Sequence, residues 1–318
     1  MSYYDLFNGD ADGICALIQL RKADPRNSTL VTGVKRDINL LAKVDAGAGD
    51  EVTILDVSMD KNSEALAQTL AKGAQVFYVD HHFPGTIPDH PNLTAIVNES
   101  PDVCTAALVN GHLQGAFLDW AVVGAFGDNL KETARTLAQP LNLSEADLSS
   151  LEDLGTYINY NGYGPSIEDL HFDPMDLYRK LYSAPGPLEF VRSSADFEKL
   201  STGYRQDMAM AEQLQASHLS DTTAVFSLPN EAWARRVSGV YSNDLATDNP
   251  ERAHAVLTEK ANGNYLVSVR APLSNKRGAA ELCMQFPTGG GRAAAAGIND
   301  LPGDSLGAFV EAFELAYK

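Results

Sequence analysis

The segment AQVFYVDHH ends an apolar run with the residue types that bind divalent metal ions, Asp80, His81 and His82. A carboxylate oxygen and neutral imidazole nitrogens suit a hard or borderline divalent ion. A lone buried histidine is more often a hydrogen-bonded core residue. Two adjacent histidines beside an aspartate, at the end of a predicted strand, favour a site that binds a metal ion and, through it, an anionic substrate.

Three further stretches place aspartates where they could join such a site. FNGDADGICA carries Asp10 and Asp12 in a glycine-bounded turn, and an acidic turn taken alone is more often solvated. Asp56 ends the apolar run EVTILD, where a carboxylate is poorly hydrated unless a cation pairs with it; the alternative is a helix N-cap. Asp128 in GAFGDN is either an N-cap or a ligand. Separate helix N-caps are a poor explanation for so many aspartates and histidines at the ends of predicted strands and loops.

The elements that must position these residues alternate short apolar runs with amphipathic segments. YYDLF, EVTIL and AQVFYV read as strands, and GICALIQLRKA and KNSEALAQTLAKG read as helices, the second closing on Gly73 as a C-cap. This alternation predicts βαβ units and a parallel sheet. Ligands bind at the carboxyl ends of parallel strands, so the polar groups that follow the strands are expected to converge.

Beyond residue 100 the pattern turns helical, with DVCTAALVNGHL and FLDWAVVGAFGDNLKETARTLA as helix candidates, the second interrupted at Gly124 and Gly127. NYNGYGPS reads as a turn in which Asn161 and Tyr163 are weaker candidates for lining a substrate cleft between domains. AVFSL, HAVLTEK and YLVSVRA read as strands of a later domain. The run of alanines in GGGRAAAAG is expected to begin a helix.

The sequence therefore predicts an α/β fold with three parts: a parallel-sheet N-terminal domain over residues 1–190, a long linker helix over 191–221, and a smaller mixed α/β C-terminal domain over 222–318. The proline-rich and glycine-rich stretch SAPGPLEFVRSS marks the first boundary. The apolar periodicity of the segment after it predicts the linker helix.

Charge and composition limit the classes of partner. The net charge is −18, and residues 222–318 hold 9 Lys and Arg against 10 Asp and Glu, so the excess lies almost wholly in the first 221 residues. Affinity for long nucleic acid comes from clustered Lys and Arg, so a long polymer is disfavoured and a small anion with bound metal is favoured. Three cysteines without metal-ligand spacing, no signal peptide and no membrane-length apolar run predict a soluble cytoplasmic protein without a membrane partner.

Four motifs, GDADG at 9–13, LDVS at 55–58, DHH at 80–82 and GAFGDN at 124–129, resemble in order and spacing those of the DHH phosphoesterase superfamily, in its RecJ-like or oligoribonuclease-like branch. GGGRAAAAG at 289–297, preceded by VSVRA, resembles the glycine-rich signature of that family's second domain, DHHA1. Together the matches span almost the whole chain. The resemblance implies a two-domain hydrolase that cleaves phosphodiester or phosphoanhydride bonds with two Mn²⁺ ions; Mg²⁺ or Co²⁺ are alternatives.

The resemblance implies metal-binding roles for five residues: Asp10 on the first ion, Asp12, His81 and Asp128 on the second, and Asp56 bridging the two. It also implies catalytic roles, in which His82 donates to the phosphoryl oxygens or the leaving group and Asp80 orients the histidines. Two such cations can hold a hydroxide between them and spread the charge that develops on an attacked phosphorus.

The sequence departs from the family pattern in two places. Leu6 stands where family members usually carry a histidine, four residues before Asp10, and Asn8 is a candidate weak ligand or water-positioning residue there. Arg292 stands where the glycine-rich motif generally has histidine, and it keeps a charged donor for a phosphate or base. Substrate binding is accordingly expected from Gly289, Gly290, Gly291, Arg292 and Arg270.

The expected function is Mn²⁺-dependent hydrolysis of short linear nucleotides, such as the dinucleotide pGpG or very short RNA, to mononucleotides. Alternatives in the same class are a pAp phosphatase, a cyclic-dinucleotide phosphodiesterase and an exopolyphosphatase. In a different class stands a nucleotide-binding module without turnover, which the missing histidine at position 6 favours. Retention of Asp12, Asp56, His81 and Asp128 together favours catalysis. The sequence leaves the oligomeric state open, with a homodimer among the options.

Overall fold

The computed structural model describes residues 1–318 and divides into two compact units, Met1–Thr202 and Gly203–Lys318. The first is built on an all-parallel sheet and the second on a mixed sheet. The α/β fold class predicted from the sequence is confirmed.

The first unit has five parallel strands in the order β2-β1-β3-β4-β5. Their bounds are β1 Tyr3–Phe7, β2 Thr29–Val31, β3 Glu51–Leu55, β4 Gln75–Asp80 and β5 Leu93–Val97. The three central strands are the predicted ones, and their apolar runs are buried as expected for strands covered on both faces. The edge strands β2 and β5 were missed, because β2 is three residues long and β5 is only partly buried.

Nine helices accompany this sheet along the chain. Their bounds are α1 Ala11–Ala23, α2 Ser63–Ala71, α3 Thr105–His112, α4 Leu118–Gly127, α5 Lys131–Ala138, α6 Glu145–Asn161, α7 Pro174–Ser183, α8 Pro187–Ser193 and α9 Ala195–Ala211. The last lies within the predicted linker segment, and the division between the units falls inside it. None of the helices has both the length and the apolar character that a membrane span requires.

Helix α4 corrects one expectation, since Gly124 and Gly127 do not interrupt it. They lie inside the helix and allow close packing: a Cβ on Gly127 would come within 2.2 Å of the Ala11 Cβ on α1. The break comes after them, at residues 128–130, where α4 ends and Asn129 takes a positive φ of 61°. The glycines therefore bring α4 against the start of α1, beside the turn that carries Asp10.

The second unit has a six-stranded mixed sheet in the order β10-β11-β9-β8-β7-β6, with three helices. The bounds are β6 His218–Leu219, β7 Thr223–Leu228, α10 Ala232–Asp248, β8 Ala253–Glu259, β9 Tyr265–Arg270, α11 Ala279–Cys283, β10 Gly289–Gly291, β11 Ala295–Leu301 and α12 Leu306–Ala316. Phe309 and Phe313 of α12 pack into its core against the sheet.

The alanine run does not begin a helix. Residues 295 and 296 open strand β11, which pairs antiparallel with β10 on one side and β9 on the other. Alanine favours a helix in isolation, but the backbone hydrogen bonds to two neighbouring strands outweigh that preference. The three glycines therefore form one strand of a hairpin, and the expectation of a helix after them is wrong.

A buried ion pair fixes α1 to the sheet that carries the functional residues. Arg21 on α1 donates from Nε and Nη2 to the two carboxylate oxygens of Asp5 on β1, each at 2.7 Å, and Nη2 also reaches Thr53 Oγ1 on β3 at 3.1 Å. Both charged side chains are almost fully buried. The bidentate geometry and the added hydroxyl supply the hydrogen bonds that a buried charge needs.

We expect Asp5→Ala to lower the free energy of unfolding by about 3–5 kcal/mol, because it leaves the Arg21 guanidinium buried without its counter-charge. Urea unfolding followed by circular dichroism measures this loss. The matched control is Asp45→Ala, which removes the carboxylate of a solvent-exposed pair with Lys72 and should change the midpoint little. Equal effects of the two substitutions would contradict the role given to the buried pair.

Candidate metal centre

The polar residues that follow the three central strands converge at one edge of the sheet. Because β1, β3 and β4 are parallel neighbours, the residues after their carboxyl ends lie side by side. Asp56 follows β3 directly in a left-handed conformation with φ of 57°, and its side chain is buried beside His81 rather than capping a helix. Asp128 joins the site from the carboxyl end of α4, so it is neither an N-cap nor a strand-end residue.

His81 lies at the centre of this group. Its Nε2 atom is 3.5 Å from Asp56 Oδ1, 3.7 Å from Asp128 Oδ2 and 3.8 Å from Asp12 Oδ2. Its Nδ1 atom lies 2.8 Å from the carbonyl oxygen of Val103, which can only accept, so Nδ1 carries the proton. The other ring nitrogen, Nε2, therefore faces the three carboxylates, an arrangement that a cation between them would stabilise.

The carboxylates are held in place by other elements. Asp12 accepts from the backbone N–H groups of Thr105 and Ala106 at the start of α3, both at 2.7 Å, and the Thr105 hydroxyl donates to Asp56 at 3.3 Å. Burial raises the pKa of Asp12 despite the opposing effect of His81. Burial, with the nearby charges of Asp10 and Asp12, raises the pKa of Asp56 well above its usual value. Both shifts are in the direction expected for carboxylates that are buried together without a cation.

Asp80 and His82 form a second arrangement next to His81. Asp80 is fully buried, and its Oδ1 atom accepts from the backbone N–H of His81 at 2.9 Å and from His82 Nδ1 at 2.8 Å. The side chain of His82 is 39% exposed. Asp80 thus fixes the orientation of the one imidazole of the pair that a molecule in solution can reach.

Asp10 has a different environment from the other carboxylates. Its Oδ2 atom pairs with the ammonium of Lys35 at 2.6 Å, and its Oδ1 atom caps α1 by accepting from Gly13 N–H at 3.1 Å. Lys35 also donates to Asn159 Oδ1 at 2.8 Å. Burial alone would raise the pKa of Asp10, but the charge and hydrogen bond of Lys35 lower it below its usual value. Burial alone would lower the pKa of Lys35, but the negative charge of Asp10 has the larger effect and raises it.

Lys35 and Asn159 were missed in the sequence. Lys35 lies four residues after β2, the strand that was itself missed. Asn159 begins the segment read as a turn, and its first three residues, 159–161, instead end α6. A strand prediction at TLV would have placed the lysine after a parallel strand. Asn161, a predicted cleft residue, instead makes two hydrogen bonds to the backbone of Phe172 and stabilises the local fold.

The positions of Leu6 and Asn8 bear on the first predicted ion. Leu6 is fully buried in the apolar cluster with Ile54 and Tyr78 and offers no ligand. Asn8 donates from Nδ2 to the carbonyl of Lys35 at 3.3 Å, and its buried Oδ1 atom has no hydrogen-bond partner in the protein. A buried amide oxygen without a partner, two residues before Asp10 in the chain, is an electron-pair donor suited to a cation or a water.

The predicted substrate-binding residues all lie in the second unit. Arg270 donates from Nε to Asn243 Oδ1 at 2.8 Å and from Nη1 to Ser268 Oγ at 2.9 Å. It pairs with Ala295, the first residue of β11. The tight turn just before β11 contains the exposed Arg292. Arg292 thus lies in the turn that leads into β11, and Arg270 lies on β9, the strand that pairs with β11.

The donor set fits a divalent ion. The ligand atoms of Asp12, His81 and Asp128 lie within 4.8 Å of one another, as do those of Asp56, His81 and His82. Oxygen and imidazole donors without sulfur suit Mn²⁺ or Mg²⁺ better than a thiophilic metal. The residues that would hold one ion are Asp12, Asp56, His81 and Asp128.

Comparison with solved structures shows the fold of DHH-domain proteins. The structure is similar to the DHH domain of a member of a ribosomal-protein family, with a TM-score of 0.64 at 14% identity over 99% of this chain and 86% of that chain. It is similar to exonuclease RecJ bound to manganese, with a TM-score of 0.59 at 17% identity over 99% and 89% of the two chains. It is also similar to the pGpG-specific phosphodiesterase PggH from Vibrio cholerae, with a TM-score of 0.56 at 14% identity over 98% and 97%.

No protein-family model and no curated protein sequence matches the chain. The likeness to these structures confirms, at the level of the fold, the resemblance predicted from the four motifs and the glycine-rich tail.

We expect His81→Ala to weaken Mn²⁺ binding by about 100-fold or more, since loss of an outer partner of a ligand alone costs about 10–100-fold. Isothermal titration with MnCl₂ measures this change. His112→Ala removes an exposed imidazole on α3 and is the matched control, for which affinity should stay within about twofold. Unchanged Mn²⁺ affinity in the His81 variant would show that the ion binds elsewhere.

Proposed function

We propose that this protein is a divalent-metal-dependent phosphodiesterase that hydrolyses short linear nucleotides, such as pGpG or very short RNA, to mononucleotides. The observation that carries the proposal is the position of His81 Nε2, 3.5–3.8 Å from three carboxylates, with the partly exposed His82 directly beside it. A site that concentrates ligands for a cation next to an accessible, oriented imidazole is suited to attack on an anionic phosphodiester.

The chemistry divides between the ion and the side chains. A divalent ion at Asp12, Asp56, His81 and Asp128 would polarise a phosphoryl oxygen and supply a water of lowered pKa. The backbone holds the ligands of this ion in position. Two backbone N–H groups at the start of α3 donate to Asp12, and the Val103 carbonyl accepts from the ring of His81.

His82 is the group proposed to move a proton. Its Nδ1–H is directed to Asp80, and we assign Nε2 to the contact with the substrate. The Asp80 carboxylate stabilises the imidazolium form, as a buried acid does beside a catalytic histidine. From Nε2 that imidazolium can donate to the departing oxygen, which leaves as an alcohol rather than as an alkoxide.

Charge and the comparisons support a short substrate. The net charge of −18 disfavours long nucleic acid, whose nonspecific binding requires clustered Lys and Arg. Among proteins of the same fold, one acts on pGpG and one is an exonuclease structure bound to manganese, which supports a nucleotide substrate and Mn²⁺, with Mg²⁺ or Co²⁺ as alternatives. In the second unit, we assign contact with a substrate phosphate or base to the exposed Arg292 and the neighbouring Gly289–Gly291 strand.

We expect Mn²⁺-dependent release of mononucleotide from a linear diguanylate. Chromatography of the products, with and without Mn²⁺, measures it across a panel that includes longer oligoribonucleotides, a cyclic dinucleotide, pAp and polyphosphate. Turnover should be confined to the shortest linear species. Nucleotide binding without turnover of any panel member would overturn the proposal and support a binding module; turnover of pAp or polyphosphate alone would move the activity to another phosphoesterase class.

We expect His82→Asn to lower kcat on the substrate so identified by about 10²–10⁴-fold, the range of a general acid. Titration with MnCl₂ should show the same number of bound ions as in the wild type, because the His82 nitrogen nearest the cluster is already engaged with Asp80. His112→Asn is the matched control and should keep the wild-type kcat. A His82 variant with full kcat would remove this residue from the mechanism.

A further inference from the structure

Lys35 carries a positive charge into the site at a fixed place. Its Nζ atom lies 2.6 Å from Asp10 Oδ2 and 2.8 Å from Asn159 Oδ1, and its side chain is 23% exposed while that of Asp10 is 4% exposed. Tyr163 adds a ring whose centroid lies 5.5 Å from the ammonium. This is a charge-assisted contact within the site and differs from the many exposed pairs on the surface.

The backbone around Lys35 is held on both sides. Its N–H donates to the carbonyl of Gly162 at 2.8 Å, and its carbonyl accepts from Asn8 Nδ2 at 3.3 Å. Asn8 belongs to the turn before Asp10, and Gly162 follows the α6 end that supplies Asn159. The lysine is therefore tied to the same two segments as the oxygens that its ammonium contacts.

The other half of the site lacks such compensation. Asp12 and Asp56 accept hydrogen bonds from backbone amides and a threonine hydroxyl, and neither has a Lys or Arg partner. The imidazole of His81 faces both. The ammonium of Lys35 thus already supplies positive charge beside Asp10, whereas Asp12 and Asp56, on the His81 side, still require a cation.

The ligands for an ion at Asp10 are correspondingly poor. Leu6 is part of the apolar core and provides no imidazole. What remains near Asp10 is Asp56, which the ion on the His81 side also needs, and the amide oxygen of Asn159, which already accepts from Lys35. An ion at this position would have to displace an ammonium that is held at two oxygens.

We propose that the ammonium of Lys35 takes the place beside Asp10 that a second divalent ion would otherwise take, so that the protein binds one divalent ion per chain, at Asp12, Asp56, His81 and Asp128. The inference rests on the proposed metal centre and replaces the two-ion arrangement expected from the sequence. An ammonium has three N–H donors, and Asp10 and Asn159 accept two of them. The third is available to a phosphoryl oxygen of the substrate.

The experiment counts bound ions. Mn²⁺ titration followed by electron paramagnetic resonance gives the number of ions per chain and shows whether two ions are close enough to be spin-coupled. The wild type should bind one ion with an uncoupled spectrum. Two ions with a coupled spectrum in the wild type would overturn the inference while leaving metal-dependent hydrolysis in place.

Substitutions at position 35 test the cause. Lys35→Ala frees Asp10 and opens space beside it, so a second, weaker Mn²⁺ should appear and couple to the first. Lys35→Arg keeps the charge and should retain a single ion. The matched control is Lys72→Ala, which removes an exposed lysine paired with Asp45 and should leave the count at one. A single ion in a folded Lys35→Ala protein would overturn the role of Lys35.

The outcomes separate this inference from the proposed function. If Lys35→Ala does not fold, as judged by circular dichroism, the wild-type count and spectrum decide the question by themselves. One bound ion without turnover of any nucleotide in the panel would uphold the single-ion site and reject the phosphodiesterase. A wild type that bound no Mn²⁺ would reject both.

Discussion

The structure depends on how the negative charge buried at one edge of a parallel sheet is offset. Asp10, Asp12, Asp56 and Asp80 are all buried there, and Asp128 approaches from α4. Charges this close together cannot all remain ionised in a medium of low dielectric unless cations or strong donors face them. Burial accordingly raises the pKa of Asp12 and of Asp56.

Different elements supply hydrogen-bond donors to different carboxylates, which explains why so much of the unit surrounds this edge. The start of α3 supplies backbone N–H groups to Asp12, and the segment after β2, with α6, supplies Lys35 and Asn159 to Asp10. The glycines of α4 bring that helix close to α1, so the residue that ends it, Asp128, can reach His81. Packing that looks purely structural therefore sets the distances among the polar groups.

The sequence predicts this edge because each strand is an apolar run that ends in a polar residue, and the period of the pattern is enough to place Asp56 and His81 after the carboxyl ends of parallel strands. It does not predict Lys35, because a lysine after a three-residue strand has no local signal and acquires its meaning only when β2 pairs with β1. The alanines after Arg292 show the converse error, since their intrinsic preference for helix is outweighed by pairing with β9. In both cases the deciding contact is to a residue far away in the chain.

Lysine and a metal ion are not equivalent ways to offset the same charge. An ammonium neutralises Asp10 permanently and can donate to a phosphate, but it cannot lower the pKa of a bound water or expand its coordination. Activation of water would then belong to the His81 side alone, while the Lys35 side could only hold and orient the substrate. For the proposed phosphodiester substrate, an asymmetric site of this kind would fix the direction of binding, with one phosphoryl oxygen toward Lys35 and the attacked phosphorus facing the ion.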